Sequence, residues 1–128
     1  MPRQSINNDI DFEIQFYEGI LKKNPDFVEA LNALGGLYTK KGLYEKGLRV
    51  DERLVQLKPE DPFVFYNLAC SHSLLNNVEQ SFGSIKKAID SGYCNFKYLE
   101  QDSDLLNLRR DSRFQQYYLR IKEQVQSS

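Results

Sequence analysis

The chain has 128 residues, with 17 Lys+Arg against 18 Asp+Glu for a formal net charge of −1, and it is 41% hydrophobic and 27% charged. These are the proportions of a soluble globular protein long enough for one compact domain, without the positive excess that would neutralise nucleic-acid phosphates. Eight Phe and eight Tyr supply ample surface to bury, which excludes disorder.

No apolar run approaches the roughly 18 residues of a membrane-spanning helix, and the stretch from Met1 to Asp9 has no apolar core of the secretory kind. Apolar residues at spacings of three and four predict a first helix over about 9–24. Asp26 with Glu29 reads as a capping box for a second helix over about 28–41, with Leu31, Leu34 and Tyr38 on its apolar face and Gly42 closing it in the left-handed conformation. A third helix follows over about 44–57. Asp61 before Pro62 reads as an N-cap with proline at the first helical position, opening a fourth over about 62–75. Asn76 closes it, and a fifth covers about 78–91. Connections this short force neighbouring helices antiparallel.

The chain matches itself at an offset of 34: Pro25 falls on Pro59, Leu34 on Leu68, Gly35 on Ala69, Tyr38 on His72, Gly42 on Asn76 and Gly47 on Ser81. Leu34 and Leu68 are therefore expected to be equivalent core residues, and the small residues at 35, 47, 69 and 81 to let helix backbones approach closely. Asp51 breaks the pattern, standing where Tyr17 and Ile85 call for a large apolar side chain. A carboxylate there is expected to be partly solvated or matched with a basic neighbour.

A unit of this length, with A-L-N-A-L-G-G-L-Y in one copy, F-Y-N-L-A-C-S-H in the next and L-K-P between them, resembles the tetratricopeptide repeat. The likeness implies an all-α fold of antiparallel helix hairpins stacked as a short right-handed superhelical solenoid. It divides the chain into a half repeat (9–27), two repeats (28–61 and 62–95) and C-terminal capping helices (96–128). That last part, with D-S-D-L-L-N-L-R-R-D-S-R-F, resembles a segment that closes bacterial arrays of this family, where an element must cover the apolar face at the end of the stack. Asp111 is expected to cap a final helix striped by Phe114, Tyr117, Tyr118, Ile121 and Val125. Phe96, Tyr98 and Leu99 suggest a shorter helix before it.

Little in the sequence points to catalysis. His72 is the single histidine, so neither a His-based metal cluster nor a second imidazole is available, and it reads as a packed ring. Cys70 reads as a small hydrophobe, and Cys94 as a turn residue that is partly exposed. Two cysteines are too few for a disulfide framework, so a reducing, cytoplasmic setting is expected. No enzyme activity, cofactor or metal is expected. The arginines of the tail are diluted by Asp102, Asp104, Asp111 and Glu123, which argues for a solvated face over a nucleic-acid patch.

The resemblance implies instead a concave groove lined by the first helix of each pair. The residues beside the core stripes are Glu29, Asn32, Gly36 and Lys40 on the second helix and Phe63, Tyr66, Asn67, Cys70 and Ser73 on the fourth. Asn67 resembles the family's backbone-holding asparagine, and a carboxamide suits that role because it both donates and accepts. The lysine clamp of chaperone-binding members is absent, since Asn32 and Gly36 stand in its place. Phe63 and Tyr66 offer an apolar anchor for a protein or peptide segment, or else they pack under Phe96, Tyr98 and Leu99. The alternative function is homo-oligomerisation through the terminal helices.

Overall fold

The computed structural model describes residues 2–127, and among these it contains eight α-helices, one short 3-10 turn and no strand. The helices form antiparallel hairpins, each packed on its neighbour in the chain, stacked as a short right-handed superhelical solenoid. Among the described residues no helix is long and apolar enough to cross a membrane.

Helix α1 spans Pro2–Lys23, beginning earlier than the pattern from position 9 suggests; a proline is well suited to a helix's first turn. Helices α2 (Val28–Lys41), α3 (Tyr44–Leu57), α4 (Pro62–Leu74) and α5 (Val78–Asp90) follow the expected order. Asp61 caps α4 as read, its Oδ1 accepting from the Phe63 N–H at 2.9 Å. The capping box at Asp26 does not form. Phe27 is the N-cap of α2 and no side chain caps it, while Asp26 accepts from the Arg53 guanidinium at 2.9 and 2.5 Å. Asp26 lies one residue too early for the cap, and a charged fork of donors outcompetes a backbone N–H.

The turns that set the stacking are three repeats of one device. Gly42, Asn76 and Gly92 all have positive φ, and the residue after each donates back to the preceding helix: Leu43 to Tyr38 O, Asn77 to His72 O and Tyr93 to Ala88 O, at 2.8, 2.8 and 2.9 Å. Each turn thereby satisfies carbonyls the helix end would leave bare and fixes the reversal angle.

Leu34, Leu54, Ala69, Ile85 and Ala88 are fully buried where these helices meet. Leu68 is only half-buried, so it is not the equal of Leu34 although the repeat places it at the same helical angle. At the α4–α5 contact Ser81 donates to the Ala69 carbonyl at 2.7 Å, so its small size also lets it satisfy a backbone group. Tyr38 ties α2 to α1 by donating to Glu18 at 2.5 Å, and Lys41 is ion-paired with Asp11.

Asp51 departs from expectation. It is buried at 6% exposure, is in no ion pair among the described residues, and accepts from the Ser71 hydroxyl across the α3–α4 contact. Space explains its presence: a Cβ on Gly35 would sit 3.4 Å from the Asp51 carboxylate, so the glycine of α2 leaves room for a short polar side chain. Burial pushes its carboxyl up to about 6. His72, read as a packed ring, is half-buried beside Asn77 at 3.4 Å, and burial holds it below the usual imidazole pKa.

Beyond α5 the chain forms α6 (Phe96–Gln101), a 3-10 turn (Ser103–Leu105), α7 (Leu106–Arg109) and α8 (Ser112–Ser127). Leu99, Leu105 and Leu108 are completely buried, the turn and α7 lying on α4 and α7 on α5. Asp111 Oδ1 accepts from the Arg113 and Phe114 N–H groups at the start of α8. Phe114 is buried edge-on to Phe82 at 5.9 Å, whereas Phe96 packs against Tyr118.

Candidate functional site

Residues three or four apart on a helix share a face, so Asn32, Gly36 and Lys40 of α2 line up, as do Phe63, Asn67 and Cys70 of α4. Between the two helices lies an open groove of about 570 Å³ that all six line together with Tyr66. Its floor carries Gly35, Thr39, Asp51 and Ser71; the far wall is Tyr93, Asn95, Tyr98, Asp102 and Asp104, supplied by the α5–α6 link, α6 and the 3-10 turn.

The remaining residues read from the sequence lie elsewhere. Glu29 is exposed but outside the groove. Ser73 is fully buried: its hydroxyl accepts from the Leu108 N–H at 3.2 Å and its carbonyl from Asn107 at 2.8 Å, so it anchors the closing segment and meets no solvent.

The two aromatic residues of α4 that line the groove have different fates. Tyr66 is buried, its ring stacked on Tyr93 at 4.4 Å and 17°, with Tyr98 at 6.1 Å, and its hydroxyl donates to Asp102 at 2.7 Å. Phe63 touches Tyr93 only edge-on at 6.0 Å and keeps 64% of its surface exposed. Of the three residues that could have covered the pair, only Tyr98 approaches it, and it meets Tyr66 alone; Leu99 enters the core and Phe96 faces α8.

Asp102 organises the far wall. Its Oδ2 accepts from Tyr66 and lies 3.7 Å from the Cys70 sulfur, and its Oδ1 accepts from the Asp104 N–H at 3.0 Å, starting the 3-10 turn. Burial, then Asp102 and Asp104, push the Cys70 thiol far up, so it stays protonated and a weak nucleophile. Burial and Asp102 likewise raise the Tyr66 hydroxyl, and Asp102 and burial raise that of Tyr98. Burial and the neighbouring Asp102 lift the Asp104 carboxyl. Ligand atoms of Cys70, Asp102 and Asp104 come within 4.8 Å of one another. Chemically, the groove offers carboxamides for a peptide backbone, an exposed ring for an apolar side chain and negative charge at one end.

Tyr93, Tyr98, Asp102 and Asp104 are groove residues that the repeat pattern does not single out. Tyr98 is among the residues the sequence offers as packing over Phe63 and Tyr66, and Tyr93 stands one 34-residue offset from Pro59; Asp102 and Asp104 reach the groove only because the closing segment folds back over α4.

No family model matches this chain. It is 34% identical over 106 residues to a chloroplastic protein of Arabidopsis thaliana; the match covers 80% of this chain and spans about a third (32%) of that relative's length. Among solved structures it is similar to MamA 41-end from Desulfovibrio magneticus RS-1, with a TM-score of 0.73 at 19% identity over 97% of this chain and 71% of that one. The MamA RS-1 ArsTM double mutant gives a TM-score of 0.64 at 17% identity, over 97% and 72% of the two chains. At these identities the likeness establishes a tetratricopeptide-like fold.

Proposed function

We propose that the chain is a non-enzymatic interaction scaffold that captures an extended protein segment in the groove between α2 and α4. Residues 28–61 and 62–95 act as two repeats, 9–27 as a half repeat, and 96–128 as the closing element. The observation that carries this reading is the exposure, along one open groove, of a large aromatic ring (Phe63) one helical turn from a carboxamide (Asn67). An exposed aromatic side chain has a solvation cost that a partner's apolar side chain removes, and the carboxamide can hold the partner's backbone in register. The fold likeness to the MamA structures supports a stacked, surface-presenting scaffold.

The test is the double variant Phe63→Ala/Asn67→Ala. Partner binding is expected to fall by roughly tenfold or more, as expected for loss of an anchor residue, with helical circular dichroism and melting almost unchanged because both side chains are exposed. Unfolding of the double variant would instead assign these side chains to the core.

A second reading, self-assembly, has one observation in its favour. Phe12 and Phe16, four residues apart on α1, are 71% and 57% exposed.

A further inference from the structure

Charge is unevenly placed in the groove. Of the residues lining it, Lys40 on α2 is the one cation, whereas Asp102 and Asp104 sit together on the far wall and Asp51 lies in the floor. Among the described residues neither Asp102 nor Asp104 is in an ion pair. The donors that Asp102 receives, the Tyr66 hydroxyl, the Cys70 thiol and the Asp104 N–H, are all neutral. The Arg109 guanidinium donates to the backbone carbonyls of Leu99 and Asp102 and does not line the groove. Two half-buried carboxylates, in no ion pair among the described residues, therefore face the groove beside the half-exposed ring of Tyr98.

From this juxtaposition we infer that the groove selects protein segments carrying a Lys or Arg side chain next to an apolar one. The basic head meets Asp104 and Asp102 against the Tyr98 ring, and the apolar side chain meets Phe63. The inference rests on the groove being the binding site and adds the chemistry of its occupant. A cation entering a partly desolvated acidic pocket gains charge-assisted hydrogen bonds, and an aromatic face adds cation–π attraction. An acidic segment at the same place is repelled. Lys40, on the opposite wall, leaves room for an acidic or carboxyl group elsewhere in the segment, so the preference concerns the far wall.

The test is a selection from displayed random dodecapeptides on the full chain, followed by fluorescence anisotropy with the synthetic binders. Expected are binders that contain Lys or Arg beside an apolar residue and that fail on the Phe63→Ala/Asn67→Ala variant. Replacing their basic residue by Gln, or Asp104 by Asn in the protein, should weaken them roughly tenfold or more. Raising salt from about 50 to 300 mM should also weaken them, as screening requires. Asp104→Asn is the informative variant because the fold uses the Asp104 backbone N–H to start the 3-10 turn, and that group survives the substitution. Groove-dependent binders that lack basic residues and tolerate Asp104→Asn would overturn the inference and leave the groove reading standing. Absence of any groove-dependent binder would overturn both. Binding that requires added calcium or zinc would give the carboxylates to a metal ion and overturn the basic-segment assignment.

Discussion

Asp51 shows how one side chain can be set against its surroundings and still be accommodated. Its carboxyl is moved from an ordinary value of 3.8 up to about 6, first by burial, with the Ser71 hydroxyl partly offsetting the cost. Holding it ionised at neutral pH therefore costs on the order of 2–3 kcal/mol of stability. Between about pH 4 and 6 the folded chain binds a proton that the unfolded chain has released, so this group makes stability fall as pH rises through that window and level off above it. His72 works in the opposite direction, since its folded imidazole resists protonation, but it does so equally with or without Asp51. The variant Asp51→Asn should thus be more stable than the parent by up to about 2–3 kcal/mol at pH 7.5, with the advantage vanishing near pH 4. Urea denaturation across that range measures it, and a pH-independent difference would show that the carboxylate is not strained by burial.

At the scale of the element, periodicity and packing part company. Leu34 and Leu68 are one period apart and equivalent by pattern, yet Leu34 is 1% exposed and Leu68 half-buried. Leu34→Ala should cost about 2–5 kcal/mol, because a cavity is left between tightly packed helices. Leu68→Ala should cost about 1–2 kcal/mol, the share of transfer free energy for a side chain that already touches water. Equal losses in thermal or chemical denaturation would show that the second hairpin packs as tightly as the first at this position. The same distinction governs the helix ends. Gly42 and Asn76 close their helices as residue type dictates, since few other residues tolerate φ of 81° and 60°. Asp26, whose type also suits a cap, is drawn away by Arg53 from a helix distant in sequence. Local chemistry decides where no competitor reaches, and tertiary contacts decide where one does.

For the whole molecule the question is whether the stack works alone. The Phe12 and Phe16 rings could cover each other in a second copy, yet a whole buried aromatic side chain contributes only roughly 150–250 Å². Two partly exposed rings fall well short of the ~800 Å² per partner of a stable dimer. Static light scattering across a wide concentration series is therefore expected to give the mass of one chain. A mass that doubles with concentration, and returns to one chain in Phe12→Ser/Phe16→Ser, would move the function to self-assembly. By itself the sequence determined the helices, their order and their antiparallel stacking, because a 34-residue period, proline and glycine punctuation and a 3.6-residue apolar stripe are all written locally. It also placed Asn32, Gly36, Lys40, Phe63 and Asn67 on the groove faces of α2 and α4. Only the tertiary structure decided that Tyr66 is covered while Phe63 is open, that Ser73 anchors the closing segment, and that Asp102 and Asp104 put their charge into the groove. Those outcomes depend on a distant segment folding back over α4, as the Ser73–Leu108 hydrogen bond records in its separation of 35 residues. A contact of that span leaves no period in the sequence, because it occurs once.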